Sequence, residues 1–325
     1  MQGPEELILK HTYAKEIIDI QPVQTLWSGY GKIKRYTLSG VDHRSVIVKH
    51  IQWPDQSNHP RGWNTAISHQ RKLKSYQVER AWYSNYASLT DEHCKVPSLI
   101  HATEQENQLL LIMEDLNESG YHLRLSPDSA RLDHAKTVIG WLAHFHATFI
   151  GQSPEGLWPV GTYWHLDTRP DEWNNMQDVR LKEAAAAIDQ RLNQAEFQTL
   201  VHGDAKLANF CFSESGKVAA VDFQYVGKGC GMKDVAYFIS SCFEEEECEQ
   251  YEKVLLDLYF ERLEAAMSTD IDFKNLRKEW SDLYAFAWAD FYRFLDGWSP
   301  GHWKMHDYSE RLTQEVINQL TLDDS

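Results

Sequence analysis

The sequence predicts an α+β molecule in two unequal lobes, a small antiparallel sheet with one helix followed by a larger, mainly helical part. Three observations carry this. Alternating segments rich in Val, Ile, Tyr and Thr are confined to residues before 117. Beyond Leu116 the apolar period becomes that of a helix. Two stretches then interrupt the helices with polar residues: Val201-His-Gly-Asp-Ala-Lys-Leu-Ala-Asn209 and Val218-Ala-Ala-Val-Asp-Phe-Gln224. The expected divisions are residues 1–113, a connection at 114–116, and residues 117–325.

The first strands are expected near Val23 to Leu38 and from Ser45 to Ile51, with the turn Trp27-Ser-Gly-Tyr-Gly-Lys32 inside the first stretch. Gly29 and Gly31 by themselves read as a plain hairpin turn; the other reading is a backbone that approaches a phosphate closely, which a side chain would obstruct. Position 34 is Lys, so a Gly-x-Gly-x-x-Gly series stops at two glycines. Lys49 lies within the β-branched run Val46-Ile-Val-Lys49-His-Ile, where it must face water or be paired. A helix from about Ser68 to Ala87 puts Tyr76, Tyr83 and Tyr86 on the face of Glu79. A carboxylate on an aromatic face needs a counter-charge, and Lys49 is the candidate.

Gln52 to Thr65, with its prolines and Gly62, reads as an irregular insertion. Pro97 to Gln108 and Leu109 to Leu116 read as two more strands, the second continuously apolar over Leu109 to Met113, as a strand buried on both faces would be. The run stops at Glu114-Asp115, and the backbone of Glu114 to Leu116 is expected to join the lobes where it can meet the edge of a bound base.

Beyond it, Ser126-Pro127-Asp128 predicts a helix start with a cap, an early proline and an acid against the dipole. Leu132, Ala135, Ile139, Leu142, Phe145 and Phe149 mark its buried face; His144 and His146 on the same helix receive no role. Gly151 to Asn175 reads as a Trp-rich loop and Val179 to Leu192 as a helix. Gly227, Gly229 and Gly231 form a short flexible segment. Asp234 opens a helix through Phe243, either capping it or holding the backbone of the 201–209 loop. Glu244 to Glu247 reads as a solvated helix start. Further helices are expected near Tyr251 to Met267, Leu276 to Leu295 and Asp307 to Leu320. The sequence contains no internal repeat.

Hydrophobic residues at 42% and charged residues at 25% describe an ordinary globular chain. No apolar run approaches the roughly 20 residues of a membrane helix; the best is Leu109 to Met113. The five cysteines, 94, 211, 230, 242 and 248, are odd in number and lack metal-ligand spacing. Together with the absence of a signal-peptide pattern at Met1, this predicts reduced thiols in a cytoplasm. A formal charge of −16 argues against a nucleic-acid partner, whose binding depends on Lys and Arg at phosphates.

The chemistry resides in the two polar stretches. Asn209 follows Asp204 by five positions, and Asp222 lies 18 beyond Asp204 at the end of an apolar strand. Asp204 can take the proton of an attacking hydroxyl, while the oxygens of Asn209 and Asp222 suit a hard ion such as Mg²⁺. Phosphoryl transfer asks mainly for charge held at fixed places, which these positions supply.

Taken in order, the turn glycines, the strand Lys, the helix Glu, the Asp204 loop and Asp222 resemble the aminoglycoside phosphotransferase and choline kinase superfamily, with its protein-kinase-like fold. The His202-Gly-Asp and Asp222-Phe-Gln forms, with Leu110-Leu-Ile-Met-Glu-Asp-Leu116, look closest to its ecdysteroid-kinase-like branch. The likeness covers about residues 20 to 300. It implies ATP and Mg²⁺ as cofactors and a small-molecule hydroxyl as acceptor, of the aminoglycoside, choline or sterol type. It implies Asp204 as the catalytic Asp, Lys206 steadying the γ-phosphate, and Asn209 with Asp222 as metal ligands. Gly29, Gly31, Lys49, Glu79, Glu114 and Leu116 would hold the nucleotide.

Only 11 residues separate Asp222 from Asp234 and no Ala-Pro-Glu follows, which argues against a protein substrate. Trp280, Trp288, Tyr292, Trp298 and Trp303, interleaved with Asp282, Asp290 and Asp296, read either as core at helical spacing or as a pocket for a cationic ligand. Core is the better account. The alternative to an enzyme is a catalytically silent nucleotide-binding protein, whose usual mark, loss of one of these groups, is absent.

Overall fold

The computed structural model describes residues 3–26, 29–53, 66–267 and 270–323. Helix α1 (Pro4–Thr12) precedes the sheet, with Pro4 and two acids in its first turn and Lys10 and His11 in its last. Strands β1 (Glu16–Thr25), β2 (Gly31–Ser39) and β3 (Ser45–Gln52) follow, then α2 (Ala66–Asn85), β4 (Leu99–Gln105) and β5 (Gln108–Glu114). The five strands form one sheet in the order β1-β2-β3-β5-β4, every pair antiparallel. Pro22 lies on edge strand β1 beside a register shift, where a missing N–H costs the ladder little. Two cores flank the sheet. Ile8 of α1 packs on Tyr36, Leu38, Val46, Val48, Leu110 and Ile112 on the outer face. Ile51, Leu109, Leu111 and Met113 join the main core under α2.

The fold is thus the expected α+β arrangement, with two differences. The small lobe carries a second helix, α1, and β1 begins at Glu16 rather than near Val23. The insertion expected at 52–65 lies largely outside the described residues, as do Trp27 and Ser28.

The second lobe begins with a 3-10 turn at Pro127–Ser129. The expected helix does not start there. The Ser126 N–H donates to the Ser129 hydroxyl, the turn closes on itself, and α3 (Leu132–Thr148) starts after it. Ala135, Ile139, Leu142, Phe145 and Phe149 are buried as expected. Then come α4 (Pro170–Asn174), α5 (Val179–Asn193), β6 (Thr199–Val201), β7 (Phe210–Phe212), β8 (Val218–Ala220) and β9 (Gly227–Gly229). Four helices complete the chain: α6 (Met232–Cys242), α7 (Glu245–Ala266), α8 (Phe273–Trp298) and α9 (Asp307–Asp323). Every residue of α6 is buried. α3 packs on α7, and α8 on α4, α5, α6 and α9. β6 pairs with β9 and β7 with β8, both antiparallel, so the two polar stretches are connections of two small ribbons. All five cysteines are free and buried. No helix among the described residues is long and apolar enough to cross a membrane.

Candidate active site

The loop from His202 to Asn209 joins β6 to β7 and is held from below. The N–H groups of His202 and Gly203 both donate to the carboxylate of Asp234, at 2.6 and 2.9 Å. Asp234, fully buried on α6, also meets His146 Nε2 at 3.1 Å, and His146 Nδ1 meets the Tyr259 hydroxyl at 2.7 Å. Gly203 has φ +78°, and a Cβ there would lie 2.1 Å from the Tyr225 carbonyl oxygen; only glycine fits. His202 ties the loop to the strand beside it. Its Nδ1 accepts from Asp204 N at 3.2 Å, so its Nε2 carries the hydrogen donated to Val221 O at 3.0 Å.

Asp204 is buried, and each carboxylate oxygen is engaged. Oδ1 accepts from the Tyr237 hydroxyl at 3.1 Å. Oδ2 accepts from Lys206 Nζ at 3.0 Å and Asn209 Nδ2 at 3.1 Å. Asn209 Nδ2 also donates to Asp204 O at 2.7 Å, which leaves Oδ1 as the open acceptor end of the amide among the described residues. The carbonyl of Asn209 accepts from Val221 N at 2.9 Å, setting Asn209 beside Asp222.

Asp222 follows β8 in the left-handed region, φ +69°, with its side chain 36% exposed. Gln224 Nε2 donates to its Oδ1 at 2.6 Å, and Gln224 Oε1 accepts in turn from Lys72 Nζ and Ser75 Oγ on α2, both at 3.2 Å. Lys49 Nζ stands 3.7 Å from Asp222 Oδ1 and donates to both oxygens of Glu79, at 2.9 and 2.7 Å. The sequence-derived pairing of β3 with α2 is therefore present, and Tyr76, Tyr83 and Tyr86 beside it are buried.

The remaining expected residues are placed as follows. Gly29 has φ +74° at the turn between β1 and β2, and a Cβ on Gly31 would fall 2.1 Å from His50 O. Gly31 sits opposite Ile51 in the β2–β3 register, two positions along β3 from Lys49. Glu114 ends β5, and its side chain is engaged by Lys95 Nζ (2.7 Å), Ser98 N (2.9 Å) and Ser119 Oγ (2.6 Å). It rims a surface hollow of about 310 Å³ shared with Val46, on the opposite sheet face from Lys49 by strand alternation. Leu116 is buried, its carbonyl accepts from Tyr121 N, and its N–H donates to no described residue.

Electrostatics separate the two acids. Burial pushes the Asp204 carboxyl above the usual carboxylate range; Lys206 opposes this and Asp222 adds to it. Burial acts on Asp222 as well, but Lys49, Lys206 and Lys72 outweigh it and hold that carboxyl low. For Lys49, burial works against the charge and is outweighed by Glu79 and Asp222, so it stays an ammonium. One acid is thus poised to accept a proton while the other stays ionised.

The arrangement also contains groups that sequence reasoning passed over. His146 carried no signal, since its fellow residues on α3 are apolar core. Tyr237 and Lys72 become visible only once α6 and α2 are folded against the loop. Asp115 accepts from Arg35 Nε, Ser45 Oγ and Asn117 N, tying β2 and β3 to the connection between lobes. On the C-terminal helices, Trp280 and Trp288 are core. Asp290 is bound to Arg293 and Trp164 Nε1, and Asp296 accepts from the N–H groups of Gln177 and Asp178. These two acids are engaged within the fold.

Comparison with known proteins agrees with this fold. Among solved structures, the chain is similar to an amicoumacin kinase, hAmiN, in complex with AMP-PNP, Ca²⁺ and Ami, with a TM-score of 0.58 at 13% identity over 98% of this chain and 94% of that one. It is similar to choline kinase from Cryptosporidium parvum Iowa II, with a TM-score of 0.51 at 10% identity over 94% and 90%. It also resembles a thermostable mutant of aminoglycoside phosphotransferase APH(4)-Ia in a ternary complex with ADP and hygromycin B, with a TM-score of 0.50 at 12% identity over 98% of each chain. Identities this low speak for the fold. No curated protein sequence matches it. The model of the phosphotransferase enzyme family, APH, matches residues 34–268, a range that includes Lys49, Glu79, Asp204, Asn209 and Asp222. The chain belongs to the phosphotransferase enzyme family.

Proposed function

We propose that this kinase-type phosphotransferase moves the γ-phosphoryl group of ATP to a hydroxyl of a small molecule, with Asp204 as general base. One observation carries the reading, the unbroken line of contacts across the cleft. Asp204 touches Asn209, Asn209 is bonded to the strand end that bears Asp222, Asp222 lies 3.7 Å from Lys49, and Glu79 holds Lys49. In the reaction the acceptor oxygen bonds to the γ-phosphorus, its proton passes to an Asp204 oxygen, and the bond to ADP breaks. Lys49 grips the α- and β-phosphates, with Gly29 and Gly31 giving the turn backbone close approach. Lys206, beside Asp204 and 40% exposed, meets the γ-phosphate. The N–H of Leu116 and the backbone of Glu114 receive the base edge.

Asn209 Oδ1 and the exposed carboxylate of Asp222 are hard oxygen donors, the chemistry Mg²⁺ requires, and these two residues would hold it. When bound, the ion neutralises phosphate charge. A sterol-type acceptor, as in the ecdysteroid-kinase-like branch, is suggested by the sequence forms at 110–116, 202–204 and 222–224 alone.

The test is ATP consumption across aminoglycosides, choline, sugars, sterols and hydroxy acids, with Asp204→Asn in parallel. Turnover on one acceptor, reduced about 10²–10⁴-fold in the variant, is expected. An unchanged rate in the variant would remove Asp204 from the mechanism. Binding of Mg-ATP with no consumption on any acceptor would favour a silent nucleotide-binding protein.

A further inference from the structure

Residues 299–306, between α8 and α9, carry a lysine to the far side of Asp204. Lys304 is nine-tenths buried, yet no hydrogen bond or ion pair reaches its Nζ among the described residues. Its surroundings are aromatic: Nζ lies 4.7 Å from the Tyr237 ring centre, 5.3 Å from Phe291 and 5.6 Å from Trp303. The segment is built rather than loose. Lys304 N donates to His302 Nδ1, its carbonyl accepts from Ser309 Oγ, and Met305 packs on the cluster of Trp164, Tyr237, Phe291 and Phe294. Tyr237 links this ammonium to the chemistry, because its hydroxyl donates to Asp204 Oδ1 at 3.1 Å while its ring lies under Nζ. Tyr163 continues the wall, its hydroxyl 3.4 Å from that of Tyr237.

Placing most of a lysine among rings with no anion bonded to its ammonium is costly, and ring faces return only part of that cost. Burial lowers the Lys304 pKa to about 8, with Asp204 the foremost charge opposing the shift. Neighbouring cations do have partners: Lys206 bonds Asp204, and Arg169 bonds Glu172. Lys304 does not.

We propose that Lys304 is an acceptor-binding residue, and that it selects an acceptor bearing an anionic oxygen, such as a carboxylate, close to the hydroxyl that is phosphorylated. The site rejects cationic alcohols, since a second positive charge would be buried against the first. This assignment rests on the phosphotransferase reading above and replaces the cationic ligand that the C-terminal aromatic residues suggest by composition.

Three alcohols of matched length test it: 3-hydroxypropionate, 1,3-propanediol and 3-amino-1-propanol, each at millimolar concentration with the full chain. Binding in the presence of Mg-AMP-PNP and consumption of Mg-ATP are both measured. The expected order is carboxylate above diol above amine. Lys304→Met, which keeps length and packing against the rings, should raise KM for the carboxylate about 100-fold and so remove its advantage over the diol. Lys304→Arg should keep the order. An equal response to all three alcohols, including none, or a preference for the amine, overturns the assignment. So does an equal loss of kcat on every acceptor in Lys304→Met, which would mark a structural role at Asp204. Mg-ATP binding separates the two levels of the argument. If the wild type does not bind it, the phosphotransferase reading fails; if it binds and an acceptor outside this series is turned over, only the role of Lys304 falls.

Discussion

At Asp204 the sequence neighbours and the folded neighbours pull in opposite directions. Burial raises its pKa, and Lys206 works to lower it. The general base proposed here acts ionised, so kcat should be lost as pH falls through the folded pKa, above the ordinary Asp value of roughly 3.9. Removing the cation takes away the largest opposition to burial. Lys206→Met should therefore move the acid limb of the kcat–pH profile further up, measured at saturating Mg-ATP; a limb that stays put would deny their coupling. Asp234 presents a different case. In Asp234→Ala two buried N–H groups lose their acceptor, at about 1–3 kcal/mol each, so a lower melting temperature should accompany a lower kcat. That Asp204, Asn209 and Asp222 come together is legible from spacing alone, because the two polar stretches that carry them are short and adjacent in sequence. Lys304 and Tyr237 are not, because nothing local says that two segments tens of residues away in sequence close over the same carboxylate.

Among the elements, α2 shows best what periodicity can reveal. Its tyrosines and Glu79 share one face, and that face is the buried one. Trp82 extends it, stacking on Phe223 at 4.4 Å, with His202 4.5 Å beyond on the same ring. Trp82→Ala should cost about 3–5 kcal/mol by denaturant unfolding. It should also raise KM for ATP, since the stack positions the residue after Asp222. Other elements are less legible for physical reasons. Helix α1 buries only Ile8, so its apolar period is faint, although Pro4, the early acids and Lys10 do mark its ends. Strand β1 is exposed along nearly its whole length and shows no alternation. At Ser126 the cap signal is real but is satisfied inside one 3-10 turn, so α3 starts later than the signal suggests.

For the molecule as a whole, the two-lobe division is a matter of composition, while the packing is shared. One buried cluster runs from Leu26 and Ile51 under the sheet, through Trp82 and Phe223, to Trp280 and Trp288 in the C-terminal helices. Calorimetry and tryptophan fluorescence should accordingly report one coincident unfolding transition; two separated transitions would show the lobes to be independent. The same continuity bears on control. Helix α2 is held to Lys49 through Glu79, to Gln224 through Lys72, to Phe223 through Trp82, and to the carbonyls of Ser153 and Glu155 through Tyr86. For this rod to swing aside, all of these contacts would have to break together.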